Sequence, residues 1–166
     1  MIAAVMWTTI IAALAVWVLA SAASGSELEA KSIAIGGGIT LNYVEQGAGV
    51  PVIFVHGSLS DYTYWQSQLG PFAEHYRAIA YSRRYNFPNH NPARTGYSAI
   101  TDAEDLAALI RVLHLKKPFL GLVDAELTHL LPNNQRIVFP DAGHQMWLQH
   151  PEECRADAFA FFNSVR

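Results

Sequence analysis

PVIFVHGSLS, residues Pro51–Ser60, joins a wholly apolar run to a sharp turn. Val52–Val55 is rich in β-branched residues and has no polar member, the pattern of a strand buried on both faces of a parallel sheet. The run stops at His56-Gly57-Ser58, where glycine permits a tight turn and leaves peptide N–H groups unobstructed at the C-terminal end of the strand. Ligands of open α/β sheets bind at that end. The stretch therefore reads as half of an active site.

The flanking sequence supplies the rest of a sheet. Upstream, Ser32–Val44 reads as a hairpin, with Ile33 and Ile35 alternating before Gly36-Gly37-Gly38 and Ile39, Leu41 and Tyr43 alternating after it. Alternation marks antiparallel strands with one buried face. Downstream, Asp61 is placed to cap a helix carrying Tyr62, Trp65 and Leu69 at helical spacing. Tyr76–Ser82 reads as a second buried strand, and the Asn- and Pro-rich Arg83–Tyr97 as a loop. Asp102 or Thr101 is expected to cap an amphipathic helix with Leu106, Leu109, Ile110 and Leu113 inward, ending near His114–Lys117. Phe119–Val123 is a short apolar run, Asp124–Leu131 a short helix, Arg136–Phe139 a strand and Pro140–His144 a turn. Pro151 suits the first position of a last helix whose core face is Cys154, Ala158, Phe161, Phe162 and Val165. The expected architecture is α/β: a mostly parallel sheet with an antiparallel N-terminal edge hairpin and helices on both faces.

Composition narrows the function. The 166 residues are 51% hydrophobic and 15% charged, which specifies a packed core. The formal net charge is −3 and the basic residues are not clustered, which argues against nucleic-acid binding. Cys154, the single cysteine, excludes an internal disulfide framework and reads as a small buried hydrophobe. Met1–Ala20 is almost wholly apolar and runs into the small residues Ser21–Ser26. Residues 1–25 read as a signal peptide or an uncleaved membrane anchor, and both readings stay open. The domain is expected to cover 26–166, in a secreted or periplasmic setting or tethered through residues 1–20, its one expected membrane contact.

With these residues in place, a resemblance emerges. Val52–Ser58, then Trp65, Ala80–Tyr85, Asp105–Ile110 and Pro140-Asp141-Ala142-Gly143-His144 resemble the α/β-hydrolase fold family, in the family's order, with esterase, haloperoxidase-like and epoxide-hydrolase-like members nearest in look. The resemblance implies hydrolysis of ester-like bonds in a small apolar substrate. It assigns oxyanion-hole N–H groups to Gly57 and Ser58 and the general base to His144. No HExxH or similar spacing supports a metal site, and no cofactor is expected. Asp124 is the candidate acid through a loose G-x-x-D match at Gly121–Asp124, and equally a helix N-cap. The family's nucleophile sits in G-x-S-x-G between a strand and a helix. That motif is absent from the chain, and the family layout is interrupted near 117–124. A base without an activated nucleophile cannot run covalent acyl transfer. The expectation is therefore impaired hydrolysis, with two alternatives: a binding module on the same fold, and Asp124 as a dehalogenase-like nucleophile.

Overall fold

The computed structural model describes residues 28–122 and 146–165. The expected leader or anchor over 1–25, the helix Asp124–Leu131, the strand Arg136–Phe139 and the turn that ends at His144 lie outside the described residues.

Five strands form one sheet in the order β1-β2-β4-β3-β5. β1 (Lys31–Gly36) and β2 (Ile39–Gln46) make the expected hairpin. Gly37 and Gly38 turn it with φ of 59° and 74°, left-handed values that glycine adopts without strain. β3 (Pro51–Val55) is buried along its whole length, as its composition requires. β4 (Arg77–Tyr81) runs antiparallel to β2 and parallel to β3. The run at Phe119 is a true strand, β5 (Phe119–Leu122), and it takes the slot on the far side of β3. The central strand thus has a parallel partner on each side. Among the described residues β5 is the outer strand there.

Because side chains alternate along a strand, β3 feeds two cores. On one face Val52 and Phe54 join Trp65, Leu69, Phe72, Trp147, Cys154 and Phe162. These come from the 3-10 turn Tyr62–Trp65, α1 (Gln66–Ala73), α3 (Met146–Gln149) and α4 (Pro151–Ser164). On the other face Ile53 and Val55 join Leu41, Ile79 and Tyr81 beneath Leu106 and Leu109 of α2 (Ala99–Val112).

Three sequence expectations are corrected. Asp61 caps the 3-10 turn rather than α1 itself, its carboxylate accepting from the Thr63 N–H at 2.8 Å. α2 starts after Ser98, and neither Asp102 nor Thr101 is its cap. Asp102 lies inside the first turn, where a buried guanidinium recruits its carboxylate more strongly than free backbone N–H groups would. In α4, Val165 is 54% exposed. Phe159 packs inward instead, 4.9 Å from Phe72 and 5.6 Å from Tyr76 between ring centroids, while Val165 lies beyond the last residue of α4 and off its inward face.

Gly121 has a steric reason. It pairs with Phe54, and a Cβ there would meet the Phe54 ring at 2.8 Å. The ring cannot retreat, since Trp65 and Phe72 each stand 4.9 Å from it between centroids. Gly121→Ala is expected to lower stability by about 1–3 kcal/mol in urea unfolding, the cost of overpacking a dense core. Phe54→Leu in the same chain should make the alanine less costly, so the double variant will be more stable than the two losses sum to.

Candidate active site

His56 follows the last residue of β3 and is fully buried. Its Nδ1 lies 2.6 Å from the Gly57 carbonyl oxygen, and its Nε2 accepts from the Arg83 N–H at 3.0 Å. The hydrogen-bond network assigns the proton to Nδ1, since Nε2 must accept. Burial lowers the pKa to about 4, the Gly57 carbonyl pulls the other way, and the Arg83 charge lowers it further. The ring is thus a neutral strut between the exits of β3 and β4. From the sequence the His-Gly turn reads as half of an active site, with no role for the His56 ring itself. The strut becomes visible when the two strands are known to be neighbours.

Beyond His56 the chain rises to the surface. Gly57 is half-buried, Ser58 is exposed and Leu59 is fully exposed. Among the described residues neither the Gly57 nor the Ser58 N–H has a hydrogen-bond acceptor. Two free peptide donors at the end of a buried strand can receive an anion or a developing oxyanion. The structure thus brings Gly57 and Ser58 together at the C-terminal edge of the sheet. His144 and Asp124 lie outside the described residues.

The loop after β4 encloses this edge. Arg83 pairs with Asp102 of α2, both buried, and Asp102 also accepts from the Tyr97 hydroxyl at 2.5 Å. Burial works against the Arg83 charge, and the Asp102 hydrogen bond and charge more than offset it, so the guanidinium stays protonated. Burial and the bond to Asp102 push Tyr97 up to about 12. Arg84 grips Asp105 through two bonds of 2.8 and 2.6 Å.

Two asparagines then continue the sheet where β4 leaves it. The Asn89 carboxamide accepts from the Asn42 N–H at 2.8 Å and donates to the carbonyls of Ser82 and Arg83 at 2.8 and 2.9 Å. Asn91 accepts from the Thr40 N–H at 2.9 Å and donates to the Thr40 and Arg84 carbonyls at 2.8 and 2.9 Å. Sequence reading saw only a polar loop. The signal was the spacing of two between Asn89 and Asn91, which matches the two-residue period of the β2 residues they serve. Among the described residues no group of three or more His, Cys, Asp and Glu could hold a metal ion.

With this geometry in view, the likeness to known proteins can be read. No family model matches the chain. It is 36% identical over 80 residues to a non-heme chloroperoxidase of Kitasatospora aureofaciens, covering 48% of this chain and 29% of that protein. It is 35% identical over 77 residues to a 2-(acetamidomethylene)succinate hydrolase of Mesorhizobium japonicum, covering 46% and 27%. Among solved structures, an epoxide hydrolase from Vigna radiata is similar with a TM-score of 0.55 at 28% identity, over 60% of this chain and 32% of that one. An aryl esterase structure from Burkholderia cenocepacia is similar with a TM-score of 0.52 at 34% identity, over 57% and 36%. All of these are α/β-hydrolases, and the described part of the chain is similar to them in sequence and fold. The match takes in less than a third of the length of the curated relatives.

Two outcomes follow from the buried groups. His56 should titrate at about 4 when its ring protons are followed by NMR. Because that value lies below the unfolded one, the unfolded chain binds more protons between them. Stability is therefore full above about pH 6.5 and falls on the order of 3 kcal/mol as pH drops towards 4. Urea midpoints across that window should show this slope, and His56→Asn should flatten it. Separately, Asp102→Ala removes the carboxylate from the buried Arg83 guanidinium and should cost about 3–5 kcal/mol in urea unfolding.

Proposed function

We propose that this chain is a hydrolase of reduced power that acts on ester-like bonds in small apolar substrates. In this reading the Gly57 and Ser58 N–H groups stabilise the oxyanion, His144 is the general base and Asp124 its acid. The observation that carries it is the pair of open peptide donors at the end of buried β3, with a parallel strand on either side and a neutral His56 fixing the turn. The Pro140-Asp141-Ala142-Gly143-His144 stretch, which resembles the family's histidine turn, supports His144. The rate is expected to be far below that of a complete triad enzyme, because no G-x-S-x-G nucleophile is present. The relatives, whose names include a hydrolase and an esterase, support the class of reaction.

A second reading is favoured by β5. Its last residue, Leu122, is in register with Val55, and Asp124 follows two residues later. The carboxylate would then be the nucleophile: it displaces a leaving group such as halide from a saturated substrate carbon to form an alkyl ester, which water deprotonated by His144 hydrolyses, releasing the alcohol and restoring Asp124. The N-terminal segment 1–20 is proposed to send the domain to or across a membrane. Among the described residues no helix is long and apolar enough to cross one. N-terminal sequencing of the mature protein separates a start near Ser26 from a retained Met1.

The test is hydrolysis of a chromogenic short-chain ester. The expected result is slow turnover whose kcat/KM falls about a hundredfold or more in His144→Ala, the usual loss for a general base. Equal rates in the two proteins would remove His144 from the mechanism. Absence of turnover with retained binding of an ester analogue would make the chain a binding module. Halide release from a haloalkane that is lost in Asp124→Asn, with an alkyl ester trapped on Asp124 in His144→Ala, would select the second reading.

A further inference from the structure

The turn that carries the free peptide donors is held from outside by one side chain. Asn86 Nδ2 donates to the Ser58 carbonyl oxygen at 2.8 Å. At the near end of the turn, His56 is bonded to the Gly57 carbonyl. At the far end, the Tyr62 N–H reaches the buried Ser82 hydroxyl at 3.1 Å, and that hydroxyl donates to the Phe87 carbonyl at 2.6 Å. Between these anchors Asp61 is bonded to Thr63 and Tyr64, and within Ser58–Ser60 only Ser58 is tethered among the described residues, Leu59 beside it being fully exposed.

Asn86 itself is well fixed. Its N–H bonds to the Arg83 carbonyl at 2.9 Å, and its carbonyl accepts from the Asn89 N–H at 3.0 Å. The neighbouring residues are locked by the Arg83–Asp102 and Arg84–Asp105 pairs and by the Asn89 carboxamide. A rigid loop thus presents one neutral donor to one carbonyl of an otherwise open turn.

We infer that Asn86 is the positioning residue of this site: it fixes the Ser58–Leu59 peptide through the Ser58 carbonyl, while His56 fixes the Gly57–Ser58 peptide through the Gly57 carbonyl, so the Ser58 N–H is held from both sides towards the place where negative charge develops. This rests on the hydrolytic reading above. A neutral carboxamide suits the task, because it holds the carbonyl without placing a charge beside an oxyanion. Its neighbours Ser82 and His56 secure the two ends of the same turn, so the donors keep their direction before substrate arrives, which is what preorganised electrostatic stabilisation requires.

The experiment compares Asn86→Asp, which keeps the shape and loses the donor, with Asn86→Ala. Backbone 15N relaxation at Ser58 and Leu59 is measured in each, beside the urea midpoint and ester kinetics. The expected result is a fall in the order parameters of Ser58 and Leu59 from about 0.85 to below about 0.6, confined to this turn. The urea midpoint should stay close to that of the parent protein. Where the parent turns over ester, kcat should fall and KM hold. Unchanged order parameters at Ser58 and Leu59 would overturn the assignment. So would a loss of order spread through β4 and α2 with a lowered midpoint, which would make Asn86 a residue of the fold alone. A parent protein without ester turnover would sink the hydrolytic reading and with it Asn86's catalytic purpose. The relaxation data would then decide separately whether Asn86 holds the turn.

Discussion

One buried imidazole sets the geometry of the sheet's working edge. His56 has no contact with solvent, so both of its nitrogens need partners inside the protein, or the strand end would bear an unmet polar group. It finds them on two different segments, the Gly57 carbonyl and the Arg83 N–H. The exits of β3 and β4 are thereby one rigid corner. From that corner the Arg83 side chain runs to α2, the Asn89 carboxamide reads the Arg83 carbonyl, and Gly57-Ser58 turns outward with its N–H groups free. Each of these depends on the ring remaining neutral, because a protonated Nε2 could not accept from Arg83.

The two faces of the sheet are held by different physics. Under α1, α3 and α4 the contacts are aromatic: Phe54, Trp65, Phe72 and Trp147 meet at tilted and edge-to-face angles, the arrangement that aromatic quadrupoles favour. Towards α2 the apolar layer is bordered by two buried or nearly buried ion pairs. Such pairs add little net stability against an apolar replacement, yet they tolerate only one geometry. Here that geometry joins the first two turns of α2 to the loop around the candidate site. Packing anchors the sheet, and charge fixes where its edge loop lies.

What the sequence made legible was set by periodicity. β1, β2, β3 and β4, the hairpin glycines and the inward face of α2 follow from runs and alternations that a linear reading can see. The short apolar run Phe119–Val123 supplies β5, which pairs with β3 on its far side. The errors came from competition between partners distant in sequence. Asp102 looks like a cap until Arg83 claims it, and Phe159 is seen to face inward only against Phe72 and Tyr76, far from it in sequence. At the site, Gly57 and Ser58 could be named from the turn chemistry. Asn86 and the strut role of His56 could not, since each depends on a hydrogen bond to a different strand exit.

The substitution of Asn89 and Asn91 for a length of β4 also bears on how this loop can vary. Peptide groups in a sheet must arrive in unbroken succession, so any insertion shifts every later pair. Carboxamides at the tips of two side chains carry no such requirement: each finds its own β2 residue, and the stretch before or after them need only return the chain within reach. The rim of the sheet is in this respect modular, with two fixed plugs and interchangeable wiring, so new sequence could be spliced between Gly96 and α2 without unzipping the hairpin behind it.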